Sequence, residues 1–177
     1  MLLLASGGFE ICGTNVYDLP CAAEGLCSSP RGSKQVITAR HLLAAALNCY
    51  LTDGSIDCGT SSIAGLFASC DAACAANDRN AMAACAPQIE CANSGGEWVG
   101  GMCASGKCAV DGSFCGGGFG ACDAFSGNVC EPFPGNCQEN PLDLSGLLND
   151  PPSSGDPSAC RAARKSKNTL FDSPLCQ

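Results

Sequence analysis

Cysteine supplies 17 of the 177 residues of this chain, and no two of them stand at the Cys-x-x-Cys spacing. A cysteine content this high marks a chain held by disulfides, metal ions or clusters. Cys-x-x-Cys is the spacing through which zinc knuckles, iron–sulfur clusters, haem attachment and thioredoxin-like redox sites commonly take their ligands. With that spacing missing, disulfides are the reading that remains. The cross-linking candidates are Cys12, Cys21, Cys27, Cys49, Cys58, Cys70, Cys74, Cys85, Cys91, Cys103, Cys108, Cys115, Cys122, Cys130, Cys137, Cys160 and Cys176. Their number is odd, so at least one is free or bonded to another chain. Cys160 and Cys176 are the candidates, because the end of a chain reaches a neighbour most easily.

The rest of the composition explains why cross-links are needed. Apolar residues make up 46% of the chain, but Ala and Cys inflate that figure, aromatics are only 6% and glycines number 22. Such a chain builds a thin core, and each disulfide adds about 2–4 kcal/mol by restricting the unfolded ensemble. Cytosolic thiols stay reduced, so abundant structural disulfides imply an exported protein, extracellular or at a cell surface. The Met1-Leu-Leu-Leu-Ala5 start has no basic residue ahead of its apolar run, and that run is too short for the core of an export signal. The expectation is a mature form or a piece of a longer polypeptide. No run approaches the roughly 20 apolar residues of a membrane span.

Net charge is −8. Acids are spread along the chain, whereas Arg161, Arg164, Lys165 and Lys167, four of the nine bases, fall together near its end. An acidic body argues against nucleic acid as a partner, because phosphate binding needs a basic surface. The basic run would suit an acidic partner, including the body of a neighbouring copy.

Four segments follow from the pattern. Residues 1–32 read as a cysteine-containing segment of loops and short strands. Residues 33–95 read as a helical subdomain. Ser33 is a candidate N-cap for a helix from Lys34 to Leu51, with Val36, Ala39, Leu43, Ala46, Leu47 and Tyr50 on one face. A second helix is expected from Ser62 to Ala76, capped by Thr60 or Ser61. Its stripe Ile63, Leu66, Phe67, Cys70 and Cys74 points both cysteines the same way, toward different partners. A third helix, from about Asp78 to Cys91 with Asn77 or Asp78 as cap, turns Met82, Cys85 and Ile89 inward, and Pro87 should kink or break it. Residues 96–140 read as a Gly/Cys-rich scaffold of loops and short strands. Strands are expected at Glu97–Val99 and Cys108–Val110, with a hairpin signal at Asp111-Gly112. Residues 141–177 read as a Pro/Ser-rich connector, with Leu142, Leu144, Leu147 and Leu148, followed by a basic tail pinned by Cys160 and Cys176. The fold class is small disulfide-rich α+β, a short Ala-rich helical hairpin or bundle over about residues 34–92 followed by the loop and short-strand region.

Few patterns carry chemistry. Asp53-Gly-Ser-Ile-Asp57 places an acid, a glycine, an aliphatic and an acid where positions five, six, eight and nine of an EF-hand loop have them. In that register Cys49, Leu51 and Thr60 occupy principal ligand positions and offer no carboxylate. Asp53 and Asp57 are therefore a weak calcium candidate, set against a plain helix-to-helix turn with Gly54 at positive φ. No other cofactor is implied. His41, the sole histidine, lies off the apolar face of the first helix and reads as a surface or flanking residue. There is no Gly-x-Ser-x-Gly elbow, no Walker loop and no Rossmann glycine pattern, and no two carboxylates stand out as a glycosidase pair. Trp98, Phe114 and Phe119, with Phe125 and Phe133, fall in the Gly/Cys-rich half. They either form its only core or present a surface for glycan or protein.

The Ala-rich segment Thr38-Ala-Arg-His-Leu-Leu-Ala-Ala-Ala-Leu-Asn48 and the loop Pro134-Gly-Asn-Cys137 resemble cysteine-rich modules of exported bacterial surface proteins. The resemblance implies an extracellular, modular setting and brings no catalytic or binding residues with it. The sequence thus leads to a non-catalytic extracellular structural protein that self-associates, in a filament or surface layer, with copies of itself as partners. The alternative is a secreted adhesion module that binds glycan or another surface protein.

Overall fold

The computed structural model describes residues 8–16, 21–22, 25–26, 33–59, 61–123 and 127–133. Cys27, Cys137, Cys160, Cys176, the connector leucines and the basic tail lie outside the described residues. Among those described, no helix is long and apolar enough to cross a membrane.

The fold is a small disulfide-rich α+β arrangement. An antiparallel hairpin of β1 (Phe9–Ile11) and β2 (Thr14–Val16) comes first. Cys12 and Gly13 make its turn with φ of 55° and 74°. Two consecutive positive φ values suit the right-handed twist of a tight hairpin, but a cysteine tolerates this conformation less readily than Asn or Gly. Two contacts hold it there: a disulfide to Cys74 and a 2.7 Å hydrogen bond from its N–H to Asp71 Oδ1. Cys21–Ala22 and Gly25–Leu26 are helical rather than loop or strand.

Helix α1 (Lys34–Asp53) begins at Ser33, whose hydroxyl accepts the Val36 N–H at 3.3 Å. It ends at Gly54, where φ of 79° lets the Gly54 N–H reach the Tyr50 carbonyl at 2.9 Å. The left-handed stop satisfies a terminal carbonyl. The helix buries two faces. Ala39, Leu42, Ala45, Ala46 and Cys49 pack into the main core with Ile11, Phe67, Met82 and Ile89. Leu43, with Leu47 beside it, packs against Val16, Cys21 and Ala22. The single face read from sequence omits Leu42 and Ala45, because an Ala-rich helix lacks the polar stripe that would separate two buried ones.

Helix α2 (Ala64–Ala75) buries Phe67, Cys70 and Cys74. Thr60 is outside the described residues; Ser61 accepts from the Ile63 N–H at 3.3 Å, and Ile63 itself takes the cap position. Helix α3 (Arg79–Asn93) starts at Asp78, whose carboxylate accepts the N–H groups of Asn80 and Ala81 at 3.0 and 3.1 Å. Its inward residues are Met82, Cys85, Ile89 and Cys91. Pro87 does not break it. The proline and Ala83, whose carbonyl loses its donor, both face solvent, where water serves as donor.

The remainder is sheet and turn. β3 (Glu97–Val99) pairs with β4 (Met102–Ala104), and α3 packs against this hairpin. β5 (Gly106–Cys108) is the middle strand of a second sheet, flanked by β6 (Phe114–Cys115) and β7 (Cys130–Pro132). The strand expected at Cys108–Val110 therefore lies two residues earlier. Asp111 accepts the Ser113 N–H at 2.9 Å, the Gly112 N–H reaches the Cys108 carbonyl at 2.9 Å, and the chain turns before Val110 can extend the strand.

Six bridges tie these elements: Cys12–Cys74, Cys49–Cys58, Cys70–Cys85, Cys91–Cys103, Cys108–Cys122 and Cys115–Cys130. Cys70 and Cys74 do take different partners. Cys21 is also disulfide-bonded. All thirteen described cysteines are thus cross-linked, and Cys27, Cys137, Cys160 and Cys176 are left to supply the partner of Cys21 and the unmatched thiol.

Candidate functional site

Two places gather chemistry-bearing side chains. The first is a face of the sheet β6-β5-β7. Side chains alternate across a strand, so Gly106, Cys108 and Cys115 turn to one side and Lys107 and Phe114 to the other. Register sets Lys107 opposite Phe114 on one neighbour and opposite Glu131 on the other. The Lys107 ammonium stands 5.2 Å from the centre of the Phe114 ring. Phe119 and Phe133 complete the group, their rings 5.5 and 6.3 Å from that of Phe114. The turn closed by Gly116 N–H to the Gly120 carbonyl, at 2.8 Å, holds Phe119 in place. The three rings are half-buried. Tilted aromatic pairs under a cation are mutually stabilising and offer an apolar platform bordered by one positive charge, Lys107, and one negative charge, Glu131, on the same face.

Of the residues singled out from sequence, Phe114 and Phe119 come together. Trp98 sits on another sheet, opposite Cys103 in the β3–β4 pair. Phe125 is outside the described residues. Lys107 escaped the sequence reading: a two-residue Asp111-Gly112 turn would set Ala109 opposite Phe114, whereas the connection spans residues 109–112 and shifts the pairing to Lys107. On the other side of this sheet the sulfurs of Cys108, Cys115 and Cys122 lie within 4.8 Å of one another. Each is in a bridge and has no thiolate to offer a cation; these sulfurs are the interior of this region.

The second place is an open cleft of about 770 Å³ between the β1–β2 hairpin, the α1–α2 turn and α2. Phe9, Tyr50, Ile56 and Phe67 supply apolar surface, and Glu10, Asp57 and Asp71 supply carboxylates. Burial pushes the Asp71 carboxyl above its ordinary value, the Cys12 N–H opposes that, and Glu10 adds to it. Asp57 is fully exposed and held below its ordinary value by the Ser55 hydroxyl and then the Gly59 N–H. The lining residues include no Lys, Arg or His.

The calcium candidate borders this cleft. Asp53 ends α1, and its side chain lies outside the described part of the structure. Asp57 Oδ1 accepts from Ser55 and from the Gly59 N–H, and the Cys49–Cys58 bridge closes the loop. Residues 49–53, which would wrap the ion in an EF-hand loop, are the last turn of α1. Gly54 does take the positive φ of a plain turn. His41 is half-buried between α1 and α3, its Nε2 3.9 Å from Glu90 Oε2. Burial lowers its pKa, with Glu90 opposing.

Comparison with protein-family models, with curated proteins and with solved structures finds no match to this chain.

Proposed function

We propose that the protein is a non-catalytic extracellular structural protein, a disulfide-stapled subunit that associates with copies of itself in a filament or surface layer. The observation that carries this reading is the run of cross-links. Cys12–Cys74 ties the first hairpin to α2, Cys70–Cys85 ties α2 to α3, and Cys91–Cys103 ties α3 to the β3–β4 hairpin. Bridges that link successive elements resist disassembly outside cells, where the surroundings are oxidising and disulfides persist. The unmatched cysteine adds a means of joining copies, and a charged fraction of only 15% leaves surfaces that repel one another weakly. The test compares gels run with and without reductant, light scattering and negative-stain microscopy. Assembly into multimers is expected; a strictly monomeric protein overturns the reading.

The Phe114–Phe119–Phe133 group with Lys107 favours a second reading, a secreted adhesion module for glycan or protein. Binding on a glycan array, lost in Phe114→Ala and weakened in Lys107→Ala while the circular dichroism is unchanged, would establish it over the first.

A further inference from the structure

We propose that the cleft between the β1–β2 hairpin and α2 receives the C-terminal segment, residues 159–177, of a second copy. The inference rests on the self-association reading and names the surfaces that meet.

The cleft combines apolar surface with negative charge: Phe9, Tyr50, Ile56 and Phe67 line it together with the exposed Glu10 and Asp57 and the half-buried Asp71. Its shape is fixed covalently. Cys12–Cys74 holds the hairpin to α2, and Cys49–Cys58 holds the α1–α2 turn. A site that does not have to be ordered on binding loses less entropy when it is filled. The sequence of the chain's last part has the complementary groups. Arg161, Arg164, Lys165 and Lys167 come first, then Leu170 and Phe171. Basic side chains meet Glu10 and Asp57 while the two apolar ones pack against Phe9, Tyr50, Ile56 and Phe67. The contrast with the rest of the chain is sharp, since four of its nine bases fall in this run.

Length permits the contact. The stretch from Phe133 to Arg161, at ~3.3 Å per residue, extends up to ~90 Å, enough to enter a neighbour's cleft. Two of the four cysteines from which the unmatched thiol must come, Cys160 and Cys176, flank the basic run, where an interchain bond would lock the docked segment. Cleft and tail are different surfaces, so each copy offers one of each. Such a heterologous contact propagates into open chains unless rotation closes it into a ring.

Reciprocal charge reversal in the full chain tests this. One variant carries Arg161→Glu, Arg164→Glu, Lys165→Glu and Lys167→Glu. The other carries Glu10→Lys and Asp57→Lys and leaves Asp71 to hold Cys12; if that change perturbs the turn, Glu10→Lys with Ala68→Lys and Ala72→Lys, all at exposed positions lining the cleft, turns it net positive without touching Asp57. Light scattering and sedimentation give the mass. Each variant alone should associate roughly tenfold more weakly or worse, and an equal mixture of the two should recover association, because each tail then meets a cleft of opposite charge. Association of the wild type that neither variant weakens, or a mixture that fails to recover, overturns this proposal and leaves the self-association reading standing. A wild type that stays monomeric overturns both. Recovery needs two chains, so a tail that folds only onto its own cleft also fails the test.

Discussion

The helical half and the sheet half of this molecule reach stability by different means. In the helical half Leu42, Leu43, Met82 and Ile89 are completely buried, and both apolar clusters of the structure lie at or before Ile89. Its bridges reinforce a core that already exists. Among the described residues from Glu97 onward the buried apolar ones are Ala104, Cys108 and Cys115, joined by Asn128. There the interior consists of sulfur, close backbone contacts and a hydrogen-bonded amide: Asn128 accepts from the Val110 N–H at 2.8 Å and donates to Asp111 at 3.1 Å. The contrast teaches that one cysteine count serves two purposes, reinforcement in one region and replacement of a core in the other.

The largest expected effect comes from deleting Cys108–Cys122 and Cys115–Cys130 together by changing all four residues to Ser. Each bridge contributes about 2–4 kcal/mol, and among the described residues the sheet half has only the half-buried Phe114, Phe119 and Phe133 group to offset the loss. Hydrogen exchange should show amide protection vanishing over residues 104–133 and persisting over 34–93. Retained protection in the sheet half would break the comparison.

Next in size is Leu42→Ala, which should cost about 2–5 kcal/mol in urea unfolding of the helical half, as cavity formation in a packed core does. The control is Val129→Ala. Val129 is 52% exposed, and its truncation should stay within about 0.5 kcal/mol.

Gly106→Ala comes third. A methyl group there would run into the Glu131 carbonyl on β7, forcing β5 and β7 apart at about 1–3 kcal/mol. Faster exchange of the β5–β7 amides, with α1 unaffected, is the expected sign.

The smallest effect is electrostatic. Asp71 titrates above its ordinary value of 3.8 in the folded protein, so the native state binds its proton more tightly than the unfolded chain does. Stability should therefore fall as pH rises from 3.8 through the raised value, then level off. Asp71→Asn keeps an oxygen for the Cys12 N–H and removes the titration. Its stability relative to wild type should rise across that window; a relative fall would contradict the burial argument.

The sequence made some of this legible. Ser33 and Asp78 announce helix starts because a side-chain oxygen ahead of an Ala/Leu run has one obvious use. Cys70 and Cys74 share a stripe and so seek different partners. Asp111-Gly112 marks a hairpin. The cleft was not legible, since Glu10 meets Asp71 only because Cys12 bonds Cys74, a pairing across 62 residues that spacing alone leaves open. That Pro87 leaves α3 unbroken was not legible either, because the cost of a proline depends on whether the orphaned carbonyl reaches water, and that is a property of packing. Lys107 was hidden by its register rather than by its type.

Peptide mapping of the native, unreduced protein by mass spectrometry tests the central claim most directly. The account predicts peptides joined as Cys12–Cys74, Cys49–Cys58, Cys70–Cys85, Cys91–Cys103, Cys108–Cys122 and Cys115–Cys130. Free thiols or a bound metal ion at Cys108, Cys115, Cys122 and Cys130 would contradict it, because the sheet half would then be held by something other than sulfur–sulfur bonds.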